Sequence, residues 1–314
     1  MERILVIGAR GQIGSELTEA LAAHFGAANV VAADLAPAGT GAVAYERLDV
    51  LDRARLEAVI EARGITQVYQ LAAMLSATGE RDPGRAWALN MGGLMNVLEL
   101  ARQRPLRVFW PSSIAAFGPG TPRDMTPQAT VMDPATMYGV SKRSGEMLCD
   151  YYHAKFGVDV RSLRYPGVIS WRTPPGGGTT DYAIDIFQSA RRGEPYRCFL
   201  GPDTRLPMLY MPDAVRATLE LMDADPARLT QWSSYNLAGL SFTPAELASA
   251  IRARAPGFAI EYAPDFRQGI AAGWPRSIDD TQARADWGWR PQYGLEAIVE
   301  DMLAHVPLVW PAAA

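Results

Sequence analysis

Lysine is nearly absent from this 314-residue chain: Lys142 and Lys155 stand against 28 arginines. Cysteine and histidine are almost as scarce, with Cys149 and Cys198, and with His24, His153 and His305 widely scattered. That scarcity excludes a disulfide framework and leaves no zinc-ligand spacing, so no metal site is expected. Long apolar runs are missing too. Stretches such as Ile4 to Ile7 fall far short of the roughly 20 residues that span a bilayer, and the N-terminal segment lacks the residue order of a cleaved leader. A cytoplasmic protein with no membrane partner is therefore expected. Charge of one sign is also lacking, since 30 basic and 34 acidic residues leave a net charge of only −4, which excludes a basic nucleic-acid-binding domain. With 48% hydrophobic residues the chain has ample material for a core, and a disordered acidic chain is excluded as well.

The length predicts roughly two domains at about 150 residues each. Ile4 to Ile7, Val30 to Ala33, Gln67 to Leu71, Arg107 to Trp110 and Val158 to Leu163 read as strands, with helical patterns between them. Buried strands alternating with helices build βαβ units, whose right-handed crossovers make a parallel sheet. The fold class is therefore α/β: a doubly wound parallel (Rossmann) sheet with a smaller C-terminal domain. Residues 1–167 form the larger domain, and 205–238 return to it through a helix over Pro212 to Met222 and a strand over Tyr235 to Ala238. Residues 168–204 and 239–314 form the smaller, substrate-binding domain. The stretch 311–314 reads as a loose tail.

The first strand runs straight into Gly8-Ala9-Arg10-Gly11-Gln12-Ile13-Gly14, followed by Leu17, Leu21 and Phe25 at helical spacing. Glycines there keep side chains out of the way of a pyrophosphate at the helix N-terminus, where unpaired N–H groups and the positive dipole end favour an anion. Twenty positions after Gly14, Asp34 closes the second apolar run, where a carboxylate accepts from ribose hydroxyls and repels a 2′-phosphate. NAD rather than NADP is the expected cofactor, and the larger domain the one that binds it. Asp49 either meets the adenine amino group or caps the helix that starts near Arg53. Leu71, Ala72 and Ala73 either let backbone approach the dinucleotide or merely pack the sheet. Val50 and Asn90 complete this set, and Tyr165 and Pro166 either bound the nicotinamide face or serve packing.

Tyr138-Gly139-Val140-Ser141-Lys142 carries the most chemistry. In a chain that otherwise uses Arg for positive charge, a lysine four residues after a tyrosine points to a role that Arg fills badly, and i, i+4 spacing puts both on one helical face. For a tyrosine to act as a base its pKa must fall from about 10 to near 7, or about 4 kcal/mol, which nearby positive charge can supply. Ser113, at the end of the fifth strand, is placed to donate to a substrate oxygen, with Ser112 as its competitor.

Gly8, Asp34, Ser113, Tyr138 and Lys142, in this order, resemble the extended branch of the short-chain dehydrogenase superfamily over nearly the whole chain. Within that branch, Leu75-Ser76-Ala77-Thr78-Gly79-Glu80, Arg164-Tyr165-Pro166-Gly167, the stretch from Gly176 to Ala183 and Trp274-Pro275-Arg276 are similar to NAD-dependent L-threonine 3-dehydrogenases. The resemblance implies a metal-independent oxidation of L-threonine, with Ser113, Tyr138 and Lys142 catalytic. It departs at Gly269 to Gly273, where relatives are expected to be more polar. A small zwitterion needs hydroxyls and backbone amides, which Ser76, Gly178, Thr179 and Thr180 offer beside Ser112, Ser113 and Tyr138. Thr179 or Thr180 alternatively caps the helix that follows. Arg123 either covers the site or is a solvated loop residue. A nucleotide-sugar epimerase or dehydratase on the same scaffold, or a silent NAD-binding sensor, is the competing reading. Leu94, Met95, Val97, Leu98 and Leu100, with Met147, Leu148, Tyr151 and Tyr152, give two helices more apolar surface than one sheet covers, which predicts a homodimer.

Overall fold

A computed structural model describes residues 2–37 and 41–310; the tail at 311–314 lies outside them. The first half alternates as the hydrophobic pattern requires: β1 (Ile4–Ile7), α1 (Gln12–Phe25), β2 (Val30–Asp34), β3 (Ala44–Arg47), α2 (Arg53–Arg63), β4 (Gln67–Gln70), α3 (Ser76–Gly79), α4 (Pro83–Gln103), β5 (Arg107–Phe109), β6 (Ser112–Ser113), α5 (Met137–Phe156) and β7 (Val160–Arg161). Six of these strands make one parallel sheet in the order β3-β2-β1-β4-β5-β7. Strand order reverses between β1 and β4, where Ile4 lies opposite both Val30 and Gln67. Crossovers leave in opposite directions from that point and open a crevice at the strand ends.

Every β1 side chain is buried, because helices cover both faces of the sheet. Ile4 and Val6 join Leu17, Leu21 and Trp289 on one face, while Leu5 and Ile7 join Leu56, Leu94 and Trp110 on the other. This is the two-residue period of a strand written into two separate cores. The half-exposed edge strand β3 has no apolar run to announce it. The expected single strand over Val158 to Leu163 is divided, because β7 ends the main sheet and the chain then enters a second ladder.

That ladder begins the second half: β8 (Leu163–Tyr165), β9 (Gly167–Ile169), α6 (Tyr182–Arg192), β10 (Tyr196–Cys198), β11 (Leu206–Tyr210), α7 (Met211–Asp223), β12 (Tyr235–Asn236), β13 (Leu240–Phe242), α8 (Pro244–Arg254), β14 (Ile260–Tyr262), α9 (Phe266–Ala272), α10 (Thr281–Trp287) and α11 (Leu295–His305). β8 lies between β6 and β12, and β11 between β9 and β13. Pairing of Ser113 with Tyr165 and of Tyr210 with Ile169 carries the sheet edge out to the site. The stretch from Gly269 to Gly273 falls in α9 and its cap. No helix among the described residues is long and apolar enough to cross a membrane.

α4 packs along α5, and Leu94, Val97, Leu98 and Leu100 are fully buried within the chain's own core. This corrects the expectation that they form surplus surface. The apolar groups left exposed on these two helices are Trp87, Val140, Met147, Tyr151 and Phe156.

Candidate active site

β1 delivers the chain into a turn in which Gly8 takes a φ of +83°, and a Cβ there would lie 2.7 Å from the Ala72 backbone nitrogen. At Gly14 a Cβ would come within 2.1 Å of the Gly8 carbonyl oxygen, so α1 starts as close to the turn as backbone allows. Gly11 caps α1 without a side-chain acceptor, and the first turn has no acidic residue. Its N–H groups are therefore free for an anion. Gly8, Gly11, Gln12, Ile13 and Gly14 all line a cavity of about 680 Å³. The Gln12 side-chain nitrogen is buried there with no partner among the described residues, a donor whose desolvation a ligand would repay.

A second cavity of about 320 Å³ adjoins the first through Gly8, Arg10, Gly11, Leu71 and Ala73, and Asp34, Asp49, Val50 and Ala72 line it. Backbone N–H groups of Arg10 (2.9 Å) and Ala36 (3.2 Å) hold the Asp34 carboxylate at the end of β2. Asp49 accepts from Leu51, and the cap of α2 is Asp52, which removes the capping alternative for Asp49. Asn90 stands behind the wall. Its amide exchanges hydrogen bonds with the backbone of Met74 and donates to Ser141, so it ties the loop after β4 to α5 from outside the cavities. The two connected spaces, the bare helix N-terminus and the carboxylate at the end of β2 fit a dinucleotide.

At the other end of the larger cavity stand Ser113, Tyr138 and Lys142. Thr136 caps α5 by accepting from Gly139, which seats Tyr138 in the first turn with Lys142 directly beneath it. The Lys142 ammonium donates to the Pro111 carbonyl and lies 4.5 Å from the Trp110 ring centroid and 5.4 Å from that of Tyr138. Burial pulls Lys142 down to about 7, against the opposing pull of Cys149 and Glu146. Burial also pushes Tyr138 up to about 12, and the neighbouring Ser113 hydroxyl opposes this only in part. The lowering expected from Lys142 is thus not seen in the protein by itself, where loss of water dominates. Ser113 accepts from the Ala115 N–H, whereas Ser112 donates to Glu146 at 2.6 Å and has its hydroxyl committed away from the cavity it lines.

Ser76 and Thr179 share a hydrogen bond of 3.2 Å and line the cavity with Thr180 and Gly178. Neither threonine caps α6, whose N-cap is Asp181. Leu71, Ala73, Tyr165 and Pro166 all face the same space, although the Tyr165 hydroxyl is spent on Thr218. Arg123 lies outside the cavity wall and donates to the Trp274 carbonyl at 3.2 Å.

Trp274 itself lines the cavity, as does Thr173, whose buried hydroxyl has no partner among the described residues. Sequence reasoning gave neither a role: Trp274 stood only inside a family-like string, and Thr173 in a Pro-rich loop with no pattern. It also missed the buried pair of Glu146 and Arg164, joined by two bonds of 2.9 Å, which locks α5 to β8 beneath the site. The one signal was Glu146 four residues after Lys142 on the same helical face.

Comparison with known proteins matches residues 4–238 to the NAD dependent epimerase/dehydratase family. An uncharacterized epimerase/dehydratase of Staphylococcus saprophyticus is 47% identical over 308 residues, 96% of each chain. The GalE-like L-threonine dehydrogenase of Cupriavidus necator, in its holo form, superimposes with a TM-score of 0.96 at 62% identity, over 97% of this chain and 100% of that one. A monomeric L-threonine 3-dehydrogenase from a metagenome superimposes with a TM-score of 0.94 at 46% identity, over 96% and 98%.

Proposed function

The chain belongs to the NAD-dependent epimerase/dehydratase family, and from that premise we propose that it oxidises the β-hydroxyl of L-threonine with NAD, giving 2-amino-3-oxobutyrate and NADH. The observation that carries this reading is the small polar end of the large cavity, where Ser76, Thr179 and Thr180 share one space with Ser113, Tyr138 and Lys142. Hydroxyls at that end suit the carboxylate and ammonium of a small zwitterion. The likeness to solved L-threonine dehydrogenases supports the same choice.

In the proposed reaction Tyr138 takes the β-hydroxyl proton while Ser113 hydrogen-bonds the same oxygen. Bound beside them, the oxidised nicotinamide would supply positive charge and accept the hydride from C3. The Tyr138 phenol resists ionisation in the protein alone, so it must first give up its own proton, and the positive charge that bound NAD would bring favours the phenolate that then takes the hydroxyl proton. Burial draws Lys142 down to about 7, so it holds positive charge near Tyr138 only in its protonated form, which is the form that favours the phenolate. A β-keto acid of this kind loses carbon dioxide readily to leave aminoacetone.

A nucleotide-sugar enzyme on this scaffold is the second reading. Ile114-Ala115-Ala116 after Ser113, where dehydratases of this branch place an acidic pair, counts against it. The deciding experiment follows absorbance at 340 nm with NAD and L-threonine, beside D-threonine, L-allo-threonine, UDP-glucose and NADP. Steady turnover restricted to L-threonine with NAD supports the proposal. Saturable binding of UDP-glucose with no threonine turnover rejects it.

We also propose that two copies pair through α4 and α5, whose Trp87, Met147, Tyr151 and Phe156 stay between 42% and 58% exposed. Light scattering at micromolar concentration should give twice the chain mass. A monomer would reject the pairing.

A further inference from the structure

The chain that brings Thr179 and Thr180 to the cavity contains Gly176, Gly177 and Gly178, a stretch with no side chains of its own to hold a shape. One residue holds it. Through Oδ2, Asp181 accepts from the backbone N–H groups of both Gly177 (2.8 Å) and Gly178 (2.7 Å). Gly177 adopts a φ of +87°, and a Cβ on Gly178 would meet Asp181 Oδ1 at 2.8 Å, so the loop is folded tightly against this carboxylate. Thr179 follows at once, buried, with its hydroxyl on Ser76 of α3.

The charged surroundings of Asp181 come from three elements. On α6 the carboxyl group of Asp185 lies one turn further on. From α9 Arg267 approaches both, but its guanidinium is engaged by Asp265 and stacked on Phe199. From β10 the Tyr196 and Cys198 side chains face Asp185.

On the reading that the cavity takes a small hydroxy amino acid, we propose that Asp181 is a positioning residue of the substrate site: as a carboxylate it ties down the glycine loop and so places the Thr179 and Thr180 hydroxyls, and on taking up a proton it releases them. A hydrogen bond to an ionised acceptor is about twice as strong as a neutral one, and both bonds fall on the same oxygen, so one proton weakens both together. Burial pushes Asp181 up to about 6, against the Gly178 and Gly177 N–H groups and Arg267. Burial and the charge of Asp181 push Asp185 up to about 6 as well, with Arg267 opposing. Release therefore lies within the range of an ordinary assay.

The test is Asp181→Asn in the full-length protein, an isosteric change that keeps an acceptor but not the charge. In the wild type, KM for L-threonine should climb as pH falls through about 6 and level off about tenfold higher, with kcat and NAD affinity changing far less. Asp181→Asn should show a KM raised about tenfold at pH 8 and no acid limb in this range. Asp185→Asn, which removes only the neighbouring charge, should keep the wild-type KM at pH 8 and move the limb to lower pH. A wild-type KM and an intact limb in Asp181→Asn would overturn the proposal.

Hydrogen exchange of the Gly177 and Gly178 amides without substrate, corrected for intrinsic rate, reads the tie directly. Protection should fall through pH 6 in the wild type and be lower and independent of pH in Asp181→Asn. This second measurement separates the two ideas. Absence of threonine turnover in the wild type defeats the functional reading alone, whereas equal amide protection in both proteins defeats the role of Asp181 alone.

Discussion

Gly167 offers the sharpest quantitative test of how the proposed substrate end is built. A Cβ placed there would lie 2.6 Å from the Met208 sulfur and 2.7 Å from both Cβ and Cγ2 of Thr180. Ordinary carbon contacts are about 3.5–4.0 Å, so Gly167→Ala forces a movement of roughly 1 Å. The flexible thioether of Met208 can absorb its share. Thr180 is β-branched and stiff at χ1, so it must shift as a whole. Overpacking of this size costs about 1–3 kcal/mol, which should lower the melting temperature by a few degrees. If Thr180 contacts a charged end of the substrate, losing that hydrogen bond costs about 1.5–3 kcal/mol, or roughly 10- to 150-fold in KM for L-threonine. NAD affinity should stay within a factor of about two, because α1 and Asp34 are untouched. Steady-state NADH formation at 340 nm, with a thermal melt on the same sample, measures both effects. A KM within twofold of wild type in a protein that melts lower would refute the reasoning, since the strain would then be real and Thr180 irrelevant to substrate.

Three further outcomes are expected. Tyr138→Phe should lower kcat by about 10²- to 10⁴-fold with NAD affinity nearly unchanged in a fluorescence titration, and near-normal turnover would remove Tyr138 from the mechanism. Asp34→Ser, which deletes the carboxylate at the end of β2, should narrow the preference for NAD over NADP in kcat/KM by tenfold or more; an unchanged ratio would place the ribose elsewhere. Asp185 bears on stability: its carboxyl is raised to about 6 from 3.8, so the stability tied to its neutral form is complete below the ordinary value and is lost as pH rises through about 6. Asp185→Asn should therefore melt above wild type at pH 8 and alongside it only near pH 3.5. Equal melting at pH 8 would show that the charge is not strained.

Much of this molecule was written locally. The α/β class followed from buried strands alternating with helices, and the proposed dinucleotide end from Gly8, Gly11, Gly14 and Asp34, because a glycine turn feeding a helix is a short-range device whose geometry is complete within a few residues. Tyr138 and Lys142 were legible for the same reason, since a helix period places them without help from the rest of the chain. Short strands were harder to read: β3 has no apolar run, and the split between β7 and β8 depends on which ladder each half joins. Arg164 and Glu146 meet only because β8 passes under α5. Trp274 reaches the cavity from more than a hundred residues beyond Tyr138, braced by Arg123.

Electrostatics divided along the same line. The residue types at Tyr138 and Lys142 showed that proton chemistry was available, but the direction in which each group is held depends on water being excluded, and burial is a property of the assembled fold. The sequence by itself determined the chemistry on offer and the scaffold to carry it. Only the tertiary structure decided which hydroxyls share one space and which carboxyl ties down the loop between them, because those relations join residues with no common local period.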